Sequence, residues 1–286
     1  MFIPIALEDL ERRSRHDLWQ AADSEVAAEN RIDLASFGPV QATIVLEEPT
    51  EPSLNLILGA AAPAAVETGH LATAVGWAGS HGVDYRVPVT PGRPGAKAAE
   101  EWLIAWGHEQ GSSRTRLVRD VSPSGLPKPR GIEAIDRASL PHDEGFPIAL
   151  ATGLGMPEWA DTFFFELPDA QNWHCYVAAE GDYPLAYVAM LIHAGLADLV
   201  LVPNPYWSPQ RVPDGLMVLL DRCIDDAAAA GCEAIFAEVE EPRPGRPLAI
   251  HHESLLLAGF EQAFVRAEWR PPRHAVAERG SRRTRV

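Results

Sequence analysis

The first half of the chain alternates between helical and strand-like patterns of hydrophobic positions. The predicted elements are a helix over 6–28, strands over 41–46 and 54–58, a helix over 64–80, a strand over 83–90, a helix over 95–109 and a strand over 114–118. Alternating strands and helices are typical of an α/β layer architecture with a partly parallel sheet.

The second half repeats this alternation with a clearer pattern. It predicts a helix over 157–167, strands over 173–179, 185–193 and 196–202, a helix over 214–230, a strand over 233–239, a helix over 252–258 and a strand over 260–269. The long helix is amphipathic, with Leu216, Leu219, Leu220 and Cys223 on one stripe. Gly231 stands where a helix-ending glycine is expected.

A chain of 286 residues is long enough to form two domains of ordinary size. The segment 122–131 is dense in proline and glycine, which marks the start of the connection between them. We expect one domain over 1–138, a second over 139–272, and a basic disordered tail over 273–286 that is rich in arginine.

Three stretches of the second half, 173–203, 210–232 and 251–269, resemble the GNAT acetyltransferase superfamily. They look like its central antiparallel strands, its cofactor-loop helix, and its closing helix with a "GF" turn and final strand. The first half resembles the degenerate first half of tandem GNAT proteins by the order of its elements. The resemblance implies an α/β (α+β) fold of two tandem GNAT-like halves, each a mixed, mostly antiparallel twisted sheet flanked by helices.

The resemblance also implies a binding site for acetyl-CoA or another acyl-CoA. In such proteins the start of a helix holds the pyrophosphate with backbone N–H groups and the positive end of the helix dipole. The family pattern is Gln or Arg, two residues, Gly, one residue, then Gly or Ala. Starting from Arg211 puts Asp214 and Leu216 at the small positions, whereas starting from Gln210 puts Pro213 and Gly215 there.

Two more positions depart from the family. Ser254 stands where the closing helix usually carries a cofactor-contacting Asn, and Phe264 occupies the stretch that often holds a proton-donating Tyr. The cofactor residues that the resemblance implies are Val200, Val202, Arg211, Gly215, Leu216 and Ser254, with backbone N–H groups near Val200 and Val202 forming the oxyanion hole.

Acetyl transfer to an amine also needs a base. His193 and Asp198 are the candidates, because they lie near the turn between the strands that flank the acceptor cleft; a solvated strand-end polar group is the simpler interpretation of either. Tyr206 and Trp207, in a proline-rich loop, are candidates for a lid over a substrate pocket or for loop anchors packed into the core.

The residues leave three functions open. The first is an acyl-CoA-dependent N-acyltransferase, in which a small-molecule amine attacks the thioester directly. The second is a GNAT-fold protein whose pocket binds or transforms a different small molecule without acetyl-CoA. The third is an interaction protein that uses the acidic body or the basic tail.

The net charge and the cysteine content limit the classes of binding partner and the cellular compartment that we expect. A formal net charge of −16 disfavours nucleic acid and anionic membranes as partners. Three widely spaced cysteines make neither a disulfide framework nor a C-x-x-C pair, and no H-x-x-x-H motif occurs, so no metal is expected. The start of the chain lacks a signal-peptide pattern and no run is long enough for a membrane span, which favours a cytoplasmic protein. The sequence leaves a homodimer open.

Overall fold

The structure is a computed structural model that describes residues 4–20, 24–126, 128–140, 144–204, 210–242 and 247–272. Its helices are α1 (Pro4–Gln20), α2 (Ser24–Glu29), α3 (His70–His81), α4 (Ala96–Ala105), α5 (Gly145–Gly153), α6 (Thr162–Phe165), α7 (Val212–Ala229) and α8 (Ile250–Leu257). Its strands are β1 (Ile32–Phe37), β2 (Val40–Val45), β3 (Leu56–Leu58), β4 (Val87–Val89), β5 (Glu109–Asp120), β6 (Glu133–Asp136), β7 (Trp173–Glu180), β8 (Tyr183–His193), β9 (Leu196–Pro203), β10 (Ala234–Glu240) and β11 (Glu261–Arg270).

The chain divides into two compact units that are both discontinuous in sequence. Unit 1 contains residues 1–12, 24–114 and 265–286, and unit 2 contains residues 13–23 and 115–264. The strands β5 and β11 each begin in one unit and end in the other. The predicted domains are continuous segments that meet at residue 138, and that boundary stays a prediction.

Unit 1 is built on short strands and a small-residue core. The strands β1, β2 and β3 form an antiparallel sheet in that order, and β4 pairs with β11, Val89 opposite Ala267. The helices α3 and α4 bury alanine and leucine side chains in the core of this unit. The helix α1 is held by two buried ion pairs, Glu8 with Arg93 and Glu11 with Arg266.

Unit 2 is built on a longer mixed sheet. Its strands follow the order β5-β10-β9-β8-β7-β6, in which β6 to β9 are antiparallel neighbours while β9 and β10 are parallel. The predicted stripe of α7 is buried against this sheet, with Leu216, Leu219, Leu220 and Cys223 all inaccessible to solvent. Gly231 follows α7 with a φ of 75°, so the predicted helix-ending glycine is confirmed.

The predicted elements of the second half agree with the structure within a few residues, except that the helix α5 was not predicted. The predicted helix over 157–167 is α6 between two 3₁₀ turns, and the short strand β6, just before the predicted domain boundary, was also missed. The first half is less well predicted. The strand β1 was missed, and the strand predicted over 83–90 forms only at Val87–Val89.

Candidate functional site

The parallel strands β9 and β10 separate partway along their length. Their register runs from Leu196 opposite Ala234 to Leu199 opposite Ala237 and ends there. The strand β9 nevertheless continues to Pro203, where it is still paired with β8. A gap therefore opens between β9 and β10 beyond Leu199, on the side from which the chain leads toward α7.

The main chain of Leu201 faces this gap. The N–H of Asn204 donates to the carbonyl of Leu185 in β8 (3.0 Å), and the carbonyl of Gly195 accepts from Glu233 at the start of β10 (2.8 Å). Because successive residues of a strand direct their main-chain groups to opposite neighbours, the odd-numbered residues of β9 face β10 and the even-numbered ones face β8.

The N–H groups of Val200 and Val202 consequently point toward β8, and that of Leu201 points into the gap. The oxyanion donors predicted from the sequence are those of Val200 and Val202, one residue away on either side. Resolving which N–H groups face the gap needs the register of three strands, which the sequence pattern alone does not provide.

A buried cluster of two carboxylates and one guanidinium lies at the closed end of the gap. Arg116 of β5 donates from Nη1 to Asp198 Oδ1 (3.0 Å), and its Nε lies 3.2 Å from Glu238 Oε2. The Arg116 side chain is only 4% exposed, that of Asp198 11% and that of Glu238 23%. Glu238 follows the last paired residue of β10, so its carboxylate is the more accessible of the two.

This cluster lies on the sheet face opposite α7. Side chains alternate along β9, and Leu199 and Leu201 belong to the core that includes α7. Val202 is on the other face, where its side chain leaves no room for a Cβ on Gly153 of α5. Asp198 has the same parity as Val202, so the acidic groups and α5 share one face.

The structure does not bring His193 to the gap. His193 is exposed at the hairpin end of β8, where it pairs with Leu196. Four residues of β9 separate that end from Val200, which is about 13 Å along the strand. Of the two predicted bases, only Asp198 lies at the gap, and Arg116 and Glu238 were not predicted.

Among the described residues at the N-terminal end of α7, two carboxylates, Glu180 and Asp214, share one guanidinium, that of Arg211. Arg211, the N-cap residue, donates from Nη2 to Glu180 Oε1 (2.6 Å) and from Nη1 to Asp214. The hydrogen bond from Arg211 lowers the pKa of Glu180. Pro213 in the first turn has no N–H group to offer a ligand. The Asp214 carboxylate pairs with Arg211, and no described side chain accepts a hydrogen bond from the first N–H groups of α7 as an N-cap.

The remaining predicted cofactor residues have structural contacts. A Cβ on Gly215 would lie 2.7 Å from the Cβ of Leu185, so this glycine lets α7 lie close to β8. The side chain of Leu216 is fully buried in the core of unit 2. Ser254 Oγ donates to the carbonyl of Ile250 in its own helix (2.9 Å). The predicted pocket residues Tyr206 and Trp207 lie outside the described residues.

Two properties of the described part of the chain bear on other kinds of site. No described helix is long and apolar enough to cross a bilayer. Among the same residues, no group of three or more His, Cys, Asp or Glu side chains could hold a metal ion. Cys175, Cys223 and Cys232 are buried free thiols, and burial raises the pKa of each.

No protein-family model and no curated protein matches this sequence. Solved structures do. A tandem GNAT protein from the clavulanic acid biosynthesis pathway, solved without AcCoA, is similar over 81% of this chain and 77% of its own, with a TM-score of 0.55 at 12% identity. A GCN5-related N-acetyltransferase from Kribbella flavida is similar over 89% of this chain and 96% of its own, with a TM-score of 0.54 at 13% identity.

An acetyltransferase from the GNAT family, from Colwellia psychrerythraea, is similar over 92% of this chain and 96% of its own, with a TM-score of 0.51 at 12% identity. This chain has a GNAT fold. The predicted fold class, a mixed α/β protein with mostly antiparallel sheets flanked by helices, is confirmed. At these identities the GNAT likeness concerns the fold, because a shared fold hosts more than one chemistry.

Proposed function

We propose that the protein is an acyl-CoA-dependent N-acyltransferase and that its site is the gap between β9 and β10. The observation that carries this proposal is the end of the parallel pairing at Leu199 and Ala237 while β9 continues to Pro203. An opened strand pair exposes main-chain donors to a ligand, and α7 begins shortly after β9 ends.

The described residues suit the acyl end of an acyl-CoA better than its diphosphate end. The N–H of Leu201 suits the acyl end, since an extended arm can lie along the exposed edge of β9. The diphosphate end is less well served. Arg211 is already bound to Glu180 and Asp214, and the first turn of α7 lacks the N–H of Pro213. When bound, an acyl-CoA would supply a thioester carbonyl that an amine can attack.

Residues of this chain would stabilise the oxyanion, accept the proton of the amine and position the base. The N–H of Leu201 is placed to stabilise negative charge that develops on a carbonyl oxygen in the gap. Glu238 is the more exposed carboxylate of the cluster, and we propose it as the group that holds an ammonium and takes its proton. Asp198, more deeply buried on Arg116, then keeps that guanidinium in place, which makes it a positioning residue.

The small-molecule acceptor that suits this arrangement is a cationic amine. Glu238 is the more exposed carboxylate at the gap, and the protein has a formal net charge of −16, so a positively charged acceptor is attracted where an anionic one is repelled.

Calorimetric titration with acetyl-CoA tests the cofactor. We expect saturable binding, and we expect the paired change Glu180→Gln and Asp214→Asn to tighten it about tenfold by freeing Arg211 for phosphate. The control is Glu233→Gln, an exposed acid beyond the other end of α7, which should leave affinity unchanged. Absence of binding at millimolar acetyl-CoA, in the wild type and in the paired variant alike, would rule out the proposal.

The rate of acetyl transfer tests the proposed role of Glu238 as the base. With acetyl-CoA and a panel of cationic amines, we expect Glu238→Gln to lower kcat by about 10²-fold or more, as for loss of a general base. His193→Gln, which changes a residue about 13 Å away along the strands, is the matched control and should retain activity. Equal activity of the Glu238→Gln variant and the wild type would remove Glu238 from the mechanism.

The excess of negative charge at the start of α7 favours a second candidate, a GNAT-fold protein that binds a different small molecule. Asp214 and Glu180 there disfavour a dianionic diphosphate. This candidate predicts that acetyl-CoA fails to bind even when both acids are neutralised. The paired variant therefore separates the two functions.

A further inference from the structure

Unit 1 contains a cavity that shares no residue with the gap in unit 2. Its volume is about 250 Å³, and its lining residues are Thr50, Asp84, Glu109, Gln110, Gly111, Arg270 and Pro271. The cavity lies where β5 begins and β11 ends. Its volume is below the range of about 300–1,000 Å³ that is usual for drug-sized ligands, so an occupant would be smaller.

The cavity is lined by two acids, Asp84 and Glu109, and one base, Arg270, and no ion pair joins Arg270 to Asp84. Arg270 has a buried Nε without a hydrogen-bond partner in the described part of the chain. Asp84 forms no ion pair with another described residue. Burial raises the pKa of Asp84, and the nearby charge of Arg270 opposes that rise. Each group is therefore partly removed from water, and the positive charges of Arg270 and Arg86 act on Asp84 without forming an ion pair with it.

The main chain around the cavity is firmly held. The N–H of Asp84 donates to the carbonyl of Pro49 (2.6 Å). Two residues before Arg270, the carboxylate of Glu268 accepts from Arg86 (2.9 Å) and from Ser112 (2.6 Å). The backbone positions from which Asp84 and Arg270 extend are thus fixed before any ligand arrives.

Gly111 makes room for the base. A Cβ at this position would lie 2.9 Å from Arg270 Nε and 3.3 Å from the carbonyl oxygen of Glu268. Any other residue at position 111 would have to push the Arg270 side chain aside, because the Glu268 carbonyl belongs to the backbone. The glycine therefore lets the guanidinium lie across β5 at the cavity.

We propose that this cavity binds a small zwitterion of the α-amino acid class, with its carboxylate on Arg270 and its ammonium on Asp84. A simple anion on Arg270 would lie close to the acids of the lining, and a simple amine on Asp84 would leave the buried Arg270 Nε without an acceptor. A ligand that carries both charges satisfies both side chains, which is the basis of discrimination against either half.

The test uses the full chain and the twenty standard amino acids as probes, first by the shift of Tm at 10 mM ligand and then by calorimetry. We expect at least one to bind saturably. We also expect the corresponding amine without the carboxylate, and the acid without the ammonium, to bind about tenfold or more weakly. An acid or amine that binds as tightly as the amino acid would overturn the proposal, as would the absence of saturable binding up to 100 mM (on the order of 100-fold above millimolar affinity).

Variants locate the site. Asp84→Asn and Arg270→Gln should each weaken binding by about tenfold or more, and Gly111→Ala should weaken it by displacing Arg270. Lys97→Gln, an exposed residue of α4, is the control. Arg270→Lys, which keeps the charge but not the fork of donors, replaces Arg270→Gln if that variant does not fold. Wild-type affinity in both Asp84→Asn and the Arg270 variant would also overturn the proposal, and acetyl-CoA binding in unit 2 is measured separately.

Discussion

At the scale of single residues, Arg116 shows what the sequence pattern could and could not reveal. Asp198 was a candidate from the sequence because it follows a predicted strand turn. Its partner Arg116 lies 82 positions earlier in the chain, and only the strand order β5-β10-β9 places the two together. A charged residue inside a predicted strand was the available signal, but its meaning depends on which strand becomes the neighbour.

The Arg116 contacts predict a large effect on stability. Arg116→Met removes the guanidinium that pairs with the buried Asp198, and breaking a buried pair in this way costs about 3–5 kcal/mol. The free energy of unfolding, measured with urea, should fall by that amount. Lys97→Met, which breaks an exposed pair with Glu101, should change it by less than about 1 kcal/mol. Similar losses in the two variants would contradict the buried pair.

His108 in unit 1 predicts a dependence of stability on pH. Burial lowers its pKa, and its Nε2 lies 3.0 Å from the Tyr85 hydroxyl. The unfolded chain therefore binds a proton at higher pH than the folded chain does, so stability rises with pH between the two pKa values. The contribution is fully present above about pH 6.5 and is lost as the pH falls below that value toward the folded pKa.

Urea unfolding at a series of pH values from 5 to 8 (roughly the range in which histidine titrates) measures this contribution. His251 and His252 also have lowered pKa values and add to the slope in the wild type. The difference between the wild type and His108→Gln isolates the one residue. We expect the variant to lose less stability on acidification, and an identical pH slope in the two proteins would contradict this.

At the scale of elements, Gly215 distinguishes a packing role from a ligand-binding role. The family pattern made it a candidate for close approach of phosphate, whereas the structure places Leu185 against it. We expect Gly215→Ala to lower the free energy of unfolding by about 1–3 kcal/mol, as for overpacking at a close contact.

A second glycine provides the matched control. Gly76 is an exposed helical residue of α3, and no atom lies within 4 Å of the position that a Cβ would occupy there. Gly76→Ala should stabilise the protein by about 0.4–1 kcal/mol, because alanine has less conformational freedom to lose. Stabilisation by Gly215→Ala as well would show that α7 does not pack on β8 as closely as described.

The elements themselves were predictable where one pattern dominated. The helix α7 and the strands β7 to β10 have long, regular apolar patterns, and the structure reproduces them. The helix predicted over 64–80 begins only at His70, because Ala64 and Gly69 adopt positive φ angles of 61° and 74°. Alanine is a strong helix former, so an alanine-rich segment predicts a helix and gives no sign of the turns that these φ angles produce.

At the scale of the whole molecule, the net charge predicts how a cationic substrate would arrive. A formal charge of −16 attracts a cationic amine over a range that salt shortens to about 10 Å at 0.1 M ionic strength. If the proposed acyl transfer holds, KM for spermidine should rise about threefold or more between low and physiological salt. KM for aniline, a neutral amine, should not change, and equal salt dependence for both would contradict long-range attraction.

The discontinuity of unit 1 has a consequence for the order in which the protein is made. Its strand β4 pairs with the end of β11, and the whole of Thr115–Phe264 must be translated between them. At bacterial and eukaryotic rates this takes about 8–30 s. Until then Val87–Val89 lacks its β11 partner, although its length of three residues and Pro88 make it a poor template for another chain. The pairing of β4 therefore waits for the synthesis of almost the whole of unit 2, whereas a domain that is continuous in sequence can complete its sheet as soon as it has been made.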